Sequence, residues 1–343
     1  MRDDLTAAFL GQAKACDDLG SPFMGRLMRL MPQVWPGDTA LARRFAEWRG
    51  DLGPSGASLP LRLAGGLHHL VLTGQDAALA RAWPPEAGPG LEAAVAGALR
   101  SHDAFLAAWV AHAPQTNEVG RSAVILAGAA EVARWAGLPL QVSELGASAG
   151  LNLNFHLYRT DKDHEFFGMP ASSLTLAPDW RGPMPPLGPV AVVEARGVDL
   201  HPLDPQRDGL RLLSYVWPDQ QPRLARMRAA LALVARHPPQ VDPGDAAGWL
   251  EGRLAGAWTG RCHLVFHTIA FQYFPAETQA RICAAMEAAG RQATANAPLA
   301  WLAMEADAVP EGAGITLRLW PGDRRIALGR AGFHGQWIDW AGM

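Results

Sequence analysis

Along residues 1 to about 115 the apolar positions recur at intervals of three and four, the period of an amphipathic helix. Leu5, Ala8 and Phe9 with Gln12 begin one stretch, Leu27, Leu30 and Met31 close a second just before Pro32, and Leu41, Phe45 and Trp48 share one face of a third. Leu63, Leu67, Leu70 and Val71 mark a fourth, and Leu91, Val95, Leu99, His102, Phe105, Leu106 and Trp109 make the longest. Clusters of Pro and Gly at 53–60 and 84–90 punctuate them. His68 and His69 are neighbours in sequence, so they point to different helix faces; this speaks against a metal pair and for exposed or core-edge side chains.

The pattern changes at Leu138. Leu140 to Leu145 is an apolar run of strand length, residues 146–150 (G-A-S-A-G) are all small, and Leu151, Leu153, Phe155, Leu157 and Tyr158 continue far enough for a helix. Strand, small-residue turn and helix begin a nucleotide-type α/β unit. Further strands are expected at Val190–Asp199, just before Gly244-Asp245, at Cys262–Ile269 and at Pro298–Glu305. Helices are expected over Leu210–His237, restarting at Pro218, and over Ala276–Gly290. Gly314–Trp320 and Arg325–Arg330, split by Pro321-Gly322-Asp323, read as an antiparallel hairpin. The polar insert at 160–189 reads as a hairpin or lid with a short strand at Leu174–Leu176; Asp163, His164 and Glu165 are consecutive and cannot converge on a metal. Arg223, Arg226 and Arg228 read as a solvated helix face. The expected organisation is therefore a helical domain over 1–115 and an α/β domain over 116–343.

Small residues after the first strand let a ligand lie against bare backbone, and a following helix would aim N–H groups at it. Glu144, at the strand's carboxyl end, opposes a phosphate there and suits hydroxyls or a positive charge. Upstream, Thr116 or Asn117 can cap the helix that carries Val124 to Ala130. Gly120 has no such use; at about 1 kcal/mol less favourable than alanine within a helix, it suggests a close approach by backbone or ligand. Asn117, Glu118 and Arg121 thus become candidate substrate contacts, with Gly137 expected to end the helix in the left-handed region. Trp217 is a candidate stacking residue or a buried structural indole. His267, at the end of a strand, is a candidate general base, joined by Glu118, His201 and Glu305. The stretch 146–150 also fits a G-x-S-x-G nucleophile elbow, with Ser148 as nucleophile and His334 as late base, but the first 115 residues offer none of the strands an α/β-hydrolase needs before it.

Composition narrows the classes. The chain has 343 residues, 49% hydrophobic and 18% charged, enough to bury a large core. A net charge of −3 without a basic stripe argues against nucleic-acid binding. Lysine occurs only at positions 14 and 162. Cys16, Cys262 and Cys283 have no metal or disulfide spacing, and a cytoplasmic setting with no signal peptide and no membrane span is expected.

Acid-x-Gly-x-x-x-Gly after the first strand, here Glu144, Gly146 and Gly150, resembles motif I of the class I S-adenosylmethionine-dependent methyltransferases, with Ser148 where that family often has glycine. The resemblance implies a Rossmann-like, mostly parallel seven-stranded sheet with S-adenosylmethionine over Glu144, Gly146, Ser148, Gly150 and Asn152. It implies Asp199 on the ribose hydroxyls and Asp245 on the adenine amino group. Asp199 lies more than twice the usual separation of about 20 residues beyond the turn. The N/D-P-P-Y/F signature of enzymes that methylate nucleic-acid amino groups is absent, which favours a small-molecule acceptor. The segments Q-T-N-E-V-G-R-S, E-L-G-A-S-A-G-L-N, R-G-V-D-L-H-P, V-W-P-D-Q and H-G-Q-W together resemble a bacterial family of unknown function, from about residue 5 to the end. A non-catalytic nucleoside or small-ligand binder on the same fold is the main alternative.

Overall fold

The structure is a computed structural model and describes residues 1–53 and 56–343. Pro54 and Ser55, within the expected Pro/Gly cluster at 53–60, lie outside the described residues. The chain divides into two compact units, residues 1–116 with 208–225, and residues 117–207 with 226–343.

The first unit is helical. Helices at Asp3–Asp18, Pro22–Val34, Ala40–Glu47, Leu59–Leu72, Ala77–Arg81, Leu91–Ser101 and Asp103–Trp109 are joined by Gly209–Tyr215 from much later in the chain. Phe9, Met28, Leu63, Leu67, Trp83 and Leu99 form its core, and Trp217 is buried with them. Two expected boundaries change. The second helix runs on through Pro32 to Val34, without the backbone bond that an N–H at that position would make to the Met28 carbonyl. The longest expected helix is interrupted at His102 (φ −113°, ψ 25°), next to Asp103, whose carboxylate accepts the N–H groups of Ala40 and Leu41 at the start of another helix. His68 and His69 do diverge, yet both meet Ser214, at its carbonyl oxygen (3.2 Å) and its Oγ (3.0 Å).

The second unit is α/β. Its strands are β1 (Leu140–Leu145), β2 (Arg159–Lys162), β3 (Glu165–Gly168), β4 (Thr175–Leu176), β5 (Asp179–Arg181), β6 (Val192–Asp199), β7 (Gln240–Pro243), β8 (Cys262–Thr268), β9 (Leu299–Glu305), β10 (Ala313–Trp320), β11 (Arg324–Ala331) and β12 (Trp337–Trp340). Among the described residues the main sheet has nine strands, in the order β5-β12-β11-β10-β9-β8-β1-β6-β7, not the seven expected. From β7 to β9 all neighbours are parallel; β10, β11 and β12 then form an antiparallel meander, with β5 parallel to β12 at the edge. The extra strands come from the tail and from the insert, whose remaining strands make a small sheet of order β3-β2-β4. The chain runs from β1 outward through β6 to β7, then crosses to β8 on the other side of β1. The carboxyl ends of β1 and β8 therefore flank a topological switch point, where open α/β sheets take their ligands.

Even-numbered residues of β8 and β9 face the helix Ser122–Ala136, where Gly128 lies against Leu302. Odd-numbered Leu145, Val265, Leu299 and Trp301 face the helices Ala246–Ala255 and Ala276–Gln292. Gly137 ends the Ser122–Ala136 helix at φ 63°, as expected. After the turn the chain forms only a 3-10 segment, Leu151–Leu157, not an α-helix. L-N-L-N-F-H-L is a poor helix former, and its Asn side chains are engaged elsewhere, Asn152 by Ser122 Oγ and Asn154 with the His237 carbonyl.

Candidate functional site

The turn after β1 is built by Gly146 (φ 74°), Ser148 (φ 54°) and Gly150 (φ 71°). Its N–H groups are used by the protein itself. Gly146 and Ala147 both donate to the Val198 carbonyl at 3.0 Å, Ser148 donates to Asp199 Oδ2 at 2.8 Å, and Leu151 donates to Asn117 Oδ1 at 2.8 Å. Its small residues serve packing. A Cβ on Gly146 would sit 2.7 Å from Ala270 Cβ, and one on Gly150 would sit 2.7 Å from both Pro239 Cβ and Val241 Cγ2. The expected bare cradle, with a helix end aimed into it, is therefore filled by neighbouring side chains.

The acids are better placed. Asp199, Glu144 and Asp245 lie at the same edge, on or just past three adjacent strands; β1 pairs Glu144 with Gly197 of β6, and β6 pairs Asp199 with Pro243 of β7. The N–H of Gly244 donates to the Asp199 carbonyl at 2.9 Å, which draws Asp245 close. Asp199 Oδ1 accepts the N–H of His201 at 2.9 Å, so each carboxylate oxygen holds one backbone donor. A carboxylate offers about four lone-pair sites, which leaves one on each oxygen. Glu144 is 2% exposed and its Oε2 has no hydrogen-bond partner. Burial, with the charge of Asp199 added, pushes its carboxyl well above the ordinary range, against the pull of Arg121 and Asn152. Asp245 is exposed and caps its helix by accepting the Gly248 N–H at 2.9 Å.

Upstream, Glu118 accepts from the Gly120 N–H at 3.0 Å and pairs with Arg226 at 3.2 Å, so Arg226 does not belong to a solvated face; Arg223 is buried as well, and Arg228 is exposed as expected. Gly120 lies in the 3-10 turn Val119–Arg121 before the helix. The close approach its glycine suggested is by backbone: a Cβ there would lie 2.3 Å from the His334 carbonyl oxygen. Arg121 donates to the carbonyls of Phe333 (2.8 Å) and Thr268 (3.1 Å), tying the tail to the end of β8.

His267 Nδ1 lies 2.7 Å from Glu305 Oε1, bringing together two residues named from the sequence. The same oxygen accepts the N–H groups of Ala270 (3.0 Å) and Phe271 (3.1 Å). Burial works to raise the Glu305 carboxyl, but the bond to His267, its charge and the two backbone donors outweigh it and hold the group below its ordinary value. Ile269, just past β8, has φ 49°, a rare conformation for a β-branched residue. Strand parity separates this pair from Glu144. Glu144 lies opposite Phe266 in the β1–β8 register, whereas His267 projects to the other face, with Val265. Ala270 connects the two, bonded to Glu305 through its N–H and packed on Gly146 through its Cβ. Glu118 is engaged by Gly120 and Arg226, and His201 is exposed, with its N–H on Asp199. Trp217 belongs to the helical unit's core, the structural indole of the two readings.

Ser148 Oγ is buried without a hydrogen-bond partner, so no base is positioned to take its proton as a nucleophile elbow requires. Among the described residues no group of three or more His, Cys, Asp or Glu side chains is arranged to hold a metal ion, and no helix is long and apolar enough to cross a membrane. A surface depression lined by Arg26, Arg29, Leu30, Gln33 and Glu92 lies on the helical unit and is walled mostly by exposed, flexible side chains. Sequence reasoning missed a buried network on the odd-numbered face, where Ser143 Oγ meets His263 Nε2 at 2.9 Å and Arg253 Nε at 3.2 Å, with Arg253 also pairing Glu194. Its signal was polar residues of one parity on two neighbouring buried strands, Gln141 and Ser143 on β1 and His263 on β8.

The profile of a bacterial protein family, described as "Uncharacterized protein conserved in bacteria (DUF2332)", matches residues 6–340. No curated protein and no solved structure matches the chain.

Proposed function

The chain belongs to that family of uncharacterised bacterial proteins, and from the arrangement of its own residues we propose that the carboxyl edge of β1, β6 and β7 binds S-adenosylmethionine and that the protein transfers a methyl group to a small-molecule acceptor. The observation that carries this reading is the Asp199 carboxylate. Backbone N–H groups of Ser148 and His201 fix it on both oxygens and leave one lone pair on each, the pattern a vicinal diol needs.

The remaining residues fit in part. The unpartnered Glu144 Oε2 would receive the cofactor's ammonium, and a cation there would bring the buried carboxyl back to its charged form. Asp245 would accept from the adenine amino group while keeping its cap on Gly248. The turn itself does not offer free N–H groups, so the ligand would be held by carboxylates and not by the glycine backbone. When bound, this cofactor supplies a methyl group activated by the adjacent sulfonium. The protein's part would be alignment of the acceptor and, where needed, removal of its proton.

The non-catalytic alternative has its own support: Glu144 and the His267–Glu305 pair lie on opposite faces of the sheet. Incubation with methyl-labelled cofactor and a bacterial extract tests the enzyme reading. It expects label in a small-molecule fraction. Tight cofactor binding without any transfer would favour the binder, and absence of binding would end the cofactor reading and leave a binder of another small ligand.

A further inference from the structure

The ends of β8 and β9 hold polar atoms that the cofactor reading leaves unused. Glu305 is an acceptor, so its 2.7 Å contact places a proton on His267 Nδ1, and in the neutral imidazole the lone pair then lies on Nε2. That nitrogen has no partner, although His267 is only 2% exposed. Trp301 Nε1, a donor, and Glu305 Oε2, an acceptor, are unpartnered in the same cluster. Flat apolar faces surround them: Phe271 stacks on His267 at 4.9 Å, Trp301 meets His267 edge-on at 5.9 Å, and Phe274 lies 5.8 Å from Phe271. Phe271, Phe274, Trp301 and Glu305 are half-buried, so the cluster reaches the surface. Buried polar atoms in folded proteins nearly always have partners, so three orphans among aromatic rings call for water or a ligand beside them.

We infer that this cluster binds a flat aromatic molecule carrying a hydroxyl, with His267 as the acceptor of its proton. The ligand's hydroxyl would donate to His267 Nε2, and Trp301 Nε1 is the cluster's donor toward it. On transfer the ligand O–H bond breaks, its electron pair stays on oxygen as a phenolate, and a new N–H bond forms at Nε2. The resulting imidazolium remains paired with Glu305. The site needs no S-adenosylmethionine and stands apart from that reading; combined with it, and resting on it only there, the site names an aromatic hydroxyl as the methyl acceptor.

The test titrates the cofactor-free full-length chain with 4-nitrophenol, whose ionised form has its own absorption band, at a pH where the free probe is mostly protonated. Wild type should develop the phenolate band on binding, His267→Ala should not, and Trp301→Phe, which keeps a ring but loses the N–H, should bind about tenfold more weakly. No band with wild type at millimolar probe, or an equal band with His267→Ala, overturns the inference. If circular dichroism shows that His267→Ala does not fold, Trp301→Phe decides, and wild-type affinity in it overturns the inference. S-adenosylmethionine binding, measured separately by calorimetry, reports on the cofactor reading alone.

Discussion

The N–H of Ser148 donates to Asp199 Oδ2 at 2.8 Å, joining the turn after β1 to the end of β6. Asp199 therefore has a structural task besides any role toward a ligand. Asp199→Ala is expected to lower stability by about 1.5–3 kcal/mol, since it removes an ionised acceptor from two N–H groups. Asp199→Asn, which keeps one acceptor oxygen, should lose roughly half of that. Urea denaturation checks both, and an unchanged midpoint in the alanine variant would contradict the clamp.

Glycines separate into two kinds here. A Cβ on Gly120 would sit 2.3 Å from a backbone oxygen of His334, which has no rotamer to yield, so Gly120→Ala should destabilise by about 1–3 kcal/mol. Gly97 and Gly252 lie exposed in helices with nothing within 4 Å, so Gly97→Ala and Gly252→Ala should each stabilise by about 0.4–1 kcal/mol. Opposite signs in thermal denaturation are the expected result; a shared sign would show that the approach of the tail to Gly120 is looser than described.

His263 governs the acid side of the stability curve. Burial, assisted by the positive charge of Arg253, pushes its imidazole from 6.5 down to about 3. Between those values the unfolded chain binds a proton that the folded chain refuses, so stability falls as pH drops below 6.5, by up to about 1.4 kcal/mol per pH unit from this group. His263→Gln should flatten that slope in denaturation measured across the range, and an unchanged slope would count against a neutral buried His263.

Glu144 acts in the opposite direction. Its carboxyl is raised above 4.5, first by burial and then by Asp199, so the folded chain keeps a proton that the unfolded chain releases. Stability contributed by this group therefore declines as pH rises above 4.5. Glu144→Gln, a neutral isostere, should gain stability relative to wild type with increasing pH. A difference that does not vary with pH would show that Glu144 is not held protonated in the fold.

Ser148 Oγ is buried without a partner, so Ser148→Ala removes an unsatisfied hydroxyl and should be neutral or slightly stabilising. Its cofactor affinity should match wild type. Loss of an activated-ester hydrolysis present in wild type would instead revive the nucleophile reading.

β8 and β9 were legible as short, mainly apolar runs, and β1 and β7 by the glycine-containing turns that follow them. β5 and β12 were not, since three or four residues at a sheet edge carry too little periodicity, and their pairing joins Asp179 to Trp337 across the chain. The turn at 146–150 shows a limit of another kind. Small residues make room equally for a ligand or for Ala270 and Pro239, and only the fold tells which. The pairing of His267 with Glu305 followed from both ending neighbouring strands. Their separation from Glu144 depended on strand register, which no single strand reveals.

The central claim is that the clamped Asp199 carboxylate receives a ribose, and calorimetric titration of S-adenosylmethionine into wild type and Asp199→Asn tests it most directly. Asn retains one of the acceptor oxygens and about half of the clamp, so a variant that stays folded reports the loss of one acceptor for the diol. The expected result is measurable binding to wild type and a 10- to 150-fold weaker dissociation constant, about 1.5–3 kcal/mol, in a variant that circular dichroism shows to be folded. Equal affinity in the two proteins, or no heat of binding to wild type, would contradict it.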